Sequence, residues 1–211
     1  MALWAREGTD VHYVVITDGS AGSNEPGAVR EEIARTRERE QRAAAEVLGV
    51  RSVTFLGFRD GELEVNVETR RAVTREVRRI RPDVVVAPDP SRLWSQNRRY
   101  VNHADHRAAG ELALCAVMPD APSRPQFPEL LDEGLEPFEI PNLWLGSEEP
   151  DTYVDITKTI DVKLEALARH RSQRGEASAP WVRERARELG ARGGVEYAEA
   201  FRTFAFKDED D

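Results

Sequence analysis

The chain predicts an α/β fold: a doubly wound, mostly parallel sheet with helices on both faces, lacking its expected first strand. Three observations carry this. Short apolar runs alternate with longer, charged, helix-patterned runs, the order expected of strands joined by crossover helices. The run Asp83-Val84-Val85-Val86-Ala87 is almost wholly apolar, as in a parallel strand covered on both faces. The chain also opens inside what reads as a helix, where such a domain normally opens on a strand.

Met1 to Glu7 reads as the last turns of an amphipathic helix, stopped by Gly8. That helix should connect to an earlier strand, so the start is expected to be cut. Val11 to Ile16 follows as a β-branched, aromatic strand. Thr17 to Gly27 is a Gly/Ser/Asp-rich loop, and Ala28 to Leu48 a charged helix stopped by Gly49. Ser52 to Leu56 is a second strand with a turn at Arg59-Asp60-Gly61, and Val67 to Ile80 a helix ended near Pro82. After the third strand, a helix is expected from Asp105 to about Val117.

Pro119, Pro122, Pro125, Pro128 and Pro137 then mark residues 118–138 as an irregular surface excursion. Two short strands, Ile140 to Leu145 and Thr152 to Asp155, precede helices at Lys158 to His170 and Pro180 to Gly190. A Gly193-Gly194 break leads to a final segment, Phe201 to Phe206, and an acidic tail over 207–211. With no repeat and no linker, residues 1–211 read as a single domain. In Rossmann-like sheets of this kind, ligands bind beyond the carboxyl ends of the strands. The loops Thr17 to Gly27, Phe58 to Gly61 and Pro88 to His106 are therefore expected to line the site.

The 211 residues suffice for one sizeable core, and 30 Lys+Arg against 39 Asp+Glu leave a net charge of −9. That balance argues against a duplex nucleic-acid partner, which needs a basic face. The one cysteine, Cys115, permits no intrachain disulfide. No run approaches the roughly 18 apolar residues of a membrane span. The opening residues are too short and too charged for a signal peptide, so a cytoplasmic protein is expected.

Histidine is scarce, yet two of the four sit in Asn102-His103-Ala104-Asp105-His106-Arg107, at a loop-to-helix junction behind the third strand. Neutral imidazole binds zinc or accepts a proton, and a neighbouring carboxylate can fix its tautomer. The plainer alternative is that Asp105 caps the helix and both histidines are ordinary surface residues. The Thr17-Asp18-Gly19-Ser20-Ala21-Gly22-Ser23 loop permits close backbone approach, but it matches neither the dinucleotide fingerprint nor the P-loop. A nucleotide-binding α/β protein therefore ranks last among the readings. No Gly-x-Ser-x-Gly turn supports nucleophilic hydrolysis.

Taken in order, several segments resemble the LmbE/PIG-L family. They are Thr17-Asp18-Gly19, Arg37-Glu38-Arg39-Glu40, Ala44 to Val50, Phe55-Leu56-Gly57 with Asp60-Gly61, and Pro82-Asp83-Val84-Val85. His103 to Arg107, His170-Arg171-Ser172-Gln173 and Tyr197 to Arg202 complete the set. The resemblance implies a zinc-dependent N-deacetylase whose partner is a small-molecule N-acetylglucosamine-type sugar conjugate; a homo-oligomer is compatible with it. It implies His106 as a metal ligand, and His103 as the group that steadies the tetrahedral oxyanion and helps deliver a proton. Asp105 would orient that pair, and Arg37 and Asp60 would face the sugar. Ala104 departs from the family's usual proline, which should alter loop rigidity rather than chemistry.

A larger departure is that the family's His-Pro-Asp-Asp-Glu motif, with two of three zinc ligands and the general base, does not occur in this sequence. That motif is expected upstream of the opening helix. One ligand does not hold a catalytic zinc where three protein ligands are normal. Zinc is thus expected for the full family pattern but not for these residues alone, which should be inactive. The alternative is a catalytically dead member that binds a sugar or a protein.

Overall fold

The computed structural model describes residues 1–95 and 99–206, so the acidic tail read at 207–211 lies outside the described residues. The opening helix forms as α1 (Ala2–Arg6), and Gly8 follows it at a φ of +93°. β1 (His12–Thr17) leads to α2 (Arg30–Leu48), which Gly49 ends in the left-handed conformation. β2 (Ser52–Phe58) and α3 (Val67–Ile80) come next. α3 starts on a reciprocal cap: the Asn66 side chain accepts from Thr69 N–H while the Thr69 hydroxyl accepts from Asn66 N–H.

β3 (Val84–Pro88) precedes α4 (Ala104–Cys115), which runs into a kinked segment, Ala116–Asp120, broken where Met118 is extended. α5 (Glu129–Asp132), β4 (Asn142–Gly146) and β5 (Thr152–Asp155) follow. The chain closes with α6 (Ile160–Ala168), α7 (Gly175–Gly193) and β6 (Ala198–Ala205). α7 is longer than its charge pattern predicts, because Pro180 lies inside its first turns.

The doubly wound, mostly parallel sheet expected from the sequence is not what forms. β1 and β2 make a two-stranded parallel sheet, with His12 opposite Ser52 and Val15 opposite Phe55. The other strands stand in the order β3-β4-β6-β5. Within that sheet β3 and β4 are parallel, Val84 lying opposite Asn142 and Ala87 opposite Leu145. β6 runs antiparallel to β4, with Asn142 opposite Ala205 and Leu145 opposite Arg202. On its other edge, Asp151 N–H donates to Phe201 O and Ile156 N–H to Tyr197 O, so β5 is antiparallel to β6 as well.

The reason lies in the register. β4 pairs with the later half of β6, Leu145 opposite Arg202, and β5 with its earlier half, Ile156 N–H donating to Tyr197 O. After the short link Ser147 to Asp151 the chain thus runs on in the same direction, and β6 returns antiparallel to both strands. The fold is α/β, with antiparallel pairing predominant in the larger sheet.

The chain divides into two compact units: Met1–Gly61 with Tyr153–Ala200, and Glu62–Thr152 with Phe201–Asp211. The first unit has a core of Ile156, Ile160, Ala186 and Tyr197, with Val154 and Leu164 packed against it. In the second, Leu112, Ala121 and Leu130 are fully buried. The proline-rich segment 118–138 is thus irregular in path but carries part of a core. Arg78 of α3 is buried there too, donating to the carbonyls of Asp120, Ala121, Ser123 and Gln126.

Candidate active site

The second unit holds the His-Asp-His cluster. β3 delivers the chain to Pro88-Asp89-Pro90, and α4 packs so closely on this turn that a Cβ on Gly110 would lie 2.5 Å from Pro88 O. Glycine at this position therefore sets how near α4 lies to the end of β3. Asp89 is buried and accepts from Ser91 N–H at 2.9 Å and from the Ser147 hydroxyl at 3.0 Å. Burial works against its ionisation, but those bonds and the Arg202 charge outweigh it and hold the carboxyl below its ordinary pKa.

At the start of α4, His103 is the N-cap residue, and its Nδ1 accepts from Asp105 N–H at 3.2 Å. An accepting Nδ1 carries no proton, so the neutral ring bears its proton on Nε2. The His103 side chain is 52% exposed, whereas that of Asp105 is 5% exposed, with Oδ1 4.0 Å from His103 Nδ1. His106 is exposed, and its ring centroid lies 5.6 Å from that of His103. The capping role in the plainer sequence reading thus falls to His103 rather than Asp105. One turn of helix brings His103, Asp105 and His106 together.

Arg37 and Asp60 belong to the first unit, where both hold the Thr17–Gly27 loop. Asp60 Oδ2 accepts from Ala21 N–H at 3.0 Å, and Arg37 Nη2 donates to Gly22 O at 3.1 Å. Arg37 Nε is buried without a hydrogen-bond partner. Arg30, which sequence reasoning did not single out, ties the same loop to Asp60 through Ser20 Oγ at 3.1 Å and Asp60 O at 2.6 Å. Asp18 Oδ1 accepts from Ser20 N–H and Asp60 N–H. Burial opposes its charge, yet the Ser20 and Asp60 bonds and Arg30 bring its pKa below the ordinary value.

Two further motif segments meet in this unit. Ser172 donates from both N–H and Oγ to the Glu40 carboxylate, each at 2.7 Å. His170 beside them has its pKa lowered, chiefly by burial and further by Arg37, with Glu40 opposing. Glu40 and Ser172 were visible in the sequence only as motif members; their pairing spans elements far apart along the chain.

Among the described residues, no group of three or more His, Cys, Asp or Glu side chains is placed to hold a metal ion. The residues present do not fit a catalytic zinc by themselves, since such a site takes three protein ligands. No helix among them is long and apolar enough to cross a membrane.

A fold of this class, with a His-Asp-His turn behind a sheet strand, is compatible with several hydrolytic chemistries. Comparison with known proteins narrows the choice. Residues 1–117 match the family model described as PIG-L: GlcNAc-PI de-N-acetylase. The chain is 35% identical over 201 residues to the diacetylchitobiose deacetylase of Thermococcus kodakarensis, covering 92% of this chain and 72% of that protein. It is 30% identical to a probable N-acetyl-alpha-D-glucosaminyl L-malate deacetylase 2 of Bacillus anthracis, covering 93% of this chain and 83% of that one. The structure of N,N'-diacetylchitobiose deacetylase from Pyrococcus horikoshii, complexed with its inhibitor MPG, superposes with a TM-score of 0.87 at 33% identity. That match covers 97% of this chain and 76% of the other. The chain belongs to the PIG-L de-N-acetylase family.

Proposed function

We propose that the protein is a metal-dependent hydrolase that removes the N-acetyl group from an N-acetylglucosamine-type sugar conjugate, and acts in the cytoplasm. In this reading the 211 residues by themselves carry only part of that machinery, and no turnover is expected of them. The observation that carries the reading is His103, exposed at the start of α4 with its Nδ1 occupied by a backbone N–H. That leaves Nε2–H as the donor of an exposed ring.

In amide hydrolysis, water adds to the acetyl carbonyl carbon, the C–N bond breaks, and acetate and a free sugar amine leave. A donor beside the carbonyl oxygen stabilises the tetrahedral oxyanion, and the amine must take up a proton to depart. As the neutral ring, His103 serves the first need through Nε2–H; to give the amine its proton it would first have to take one up and become imidazolium. Asp105 keeps the ring oriented through its backbone N–H, which donates to Nδ1, and Arg37 and Asp60 shape the loop assigned to the sugar. His106 is the metal ligand in this proposal. Zinc would supply polarisation of the carbonyl and of the attacking water. The described residues do not complete its site, so no step is routed through it.

The test is amine release from N,N'-diacetylchitobiose with added zinc, beside metal analysis of the purified chain. The expected result is no turnover and less than one zinc per chain. In parallel, ligand-observed NMR should show the acetylated disaccharide bound and its signal weakened in His103→Ala. Stoichiometric zinc with turnover would overturn the inactivity of the chain. Failure of any N-acetyl sugar to bind would overturn the deacetylase reading.

The lack of a metal-ligand group among the described residues favours a second reading, a non-catalytic sugar- or protein-binding module. In that case, glucosamine and N-acetylglucosamine conjugates bind alike, and neither His103→Ala nor His106→Ala matters.

A further inference from the structure

The ribbon that leads into His103 exposes a run of apolar side chains: Leu93, Trp94, Tyr100 and Val101 are 47%, 58%, 46% and 76% exposed. The ribbon is anchored to itself. Trp94 and Val101 form an antiparallel bridge. Asn102 N–H donates to Leu93 O at 2.8 Å, Asn102 Nδ2 to Arg92 O at 2.8 Å, and Ser95 N–H to Tyr100 O at 2.9 Å. Arg92 is held by Glu148 at 2.5 Å, with its guanidinium 5.9 Å from the centre of the Tyr100 ring.

Directly opposed residues of an antiparallel pair put their side chains on one face, and alternate residues of an extended strand share a face. His103 continues that extended path, with φ −59° and ψ 143°. Trp94, Val101 and His103 therefore share one face of the ribbon, while Asn102 between them is buried on the other. The indole stands one bridge away from the imidazole proposed to act on the acetamide.

We propose that Trp94 is a specificity-determining substrate contact: its indole stacks on the C–H face of the sugar ring whose acetamide reaches His103. The proposal rests on the deacetylase reading above. A pyranose ring presents axial C–H groups of slight positive charge on one face and hydroxyls around its rim. The face of an indole is electron-rich and apolar, so it matches the C–H face. The imidazole on the same face suits the rim. A protein partner would need roughly 800 Å² of surface on each side, far more than a ribbon of four apolar side chains offers.

The test is titration calorimetry with N,N'-diacetylchitobiose on the whole chain, which needs no turnover. Trp94→Ala should weaken binding by about tenfold, and Trp94→Phe should keep most of it, because the aromatic face is retained. Trp181→Ala, at a 71% exposed tryptophan of the other unit, should bind as the parent does. Far-UV circular dichroism checks that each variant is folded. Binding by Trp94→Ala equal to the parent overturns the stacking contact and leaves the deacetylase reading standing. A parent chain that binds no N-acetyl sugar overturns both.

Discussion

Replacing Arg78 with methionine should destabilise the second unit strongly without touching the site. Arg78 is 2% exposed and donates to four carbonyls of the 118–138 segment at 2.8 to 3.2 Å. Three of those acceptors share Nη2, which has two protons, so the effective number of bonds is nearer three. A hydrogen bond to a charged group nets roughly 1.5–3 kcal/mol. Part of this is offset, because the variant no longer buries a guanidinium whose Nη1 has no partner. A net loss of about 3–5 kcal/mol follows, the range for removing one side of a buried charged network. At this chain size, about 2–4 °C of melting temperature goes with each kcal/mol, so the midpoint should fall by about 6–20 °C.

The assay is urea denaturation followed by tryptophan fluorescence, with Arg75→Ala as the contrast. Arg75 pairs with Glu133 at 2.6 Å, but the partners are 41% and 42% exposed, so its loss should stay under about 1 kcal/mol. A loss below about 1 kcal/mol for Arg78→Met would refute the view that this guanidinium organises the proline-rich segment.

Three other outcomes are expected. Gly110→Ala puts a methyl 2.5 Å from Pro88 O, so α4 must move; stability should drop by about 1–3 kcal/mol, and the His103 and His106 NMR signals should shift, which unchanged spectra would contradict. Asp89 has a folded pKa below that of the unfolded carboxyl, so its stabilisation is full above about pH 4 and is lost as pH falls through the folded value. Asp89→Asn should flatten that acid limb of the stability profile, and an unchanged limb would refute the assignment. In Glu40→Gln, the charge that supports the protonated form of His170 is gone, so the His170 pKa measured by NMR should fall further; a rise or no change would refute the electrostatic account.

The sequence by itself determined the local elements of the first half. Gly8 and Gly49 sit past the ends of α1 and α2 at positive φ, and α3 covers the residues that its apolar spacing marks. It also determined the His103-Asp105-His106 turn, because three residues within one helical turn meet whatever the rest of the chain does. What only the tertiary structure decided depends on distant partners. The direction of β6 was set by β4 and β5 on its two edges, partners that the final segment Phe201 to Phe206 does not name by itself. The core role of residues 118–138 came from Arg78, some 40 residues away, which satisfies carbonyls that prolines leave outside any ladder. Likewise Arg37 and Asp60 read as sugar contacts along the chain, but that Arg37 Nη2 and Asp60 Oδ2 also hold the backbone of one glycine-rich loop is visible only once the chain is folded. Periodicity encodes which face of a segment is buried; it does not encode which buried groups will meet.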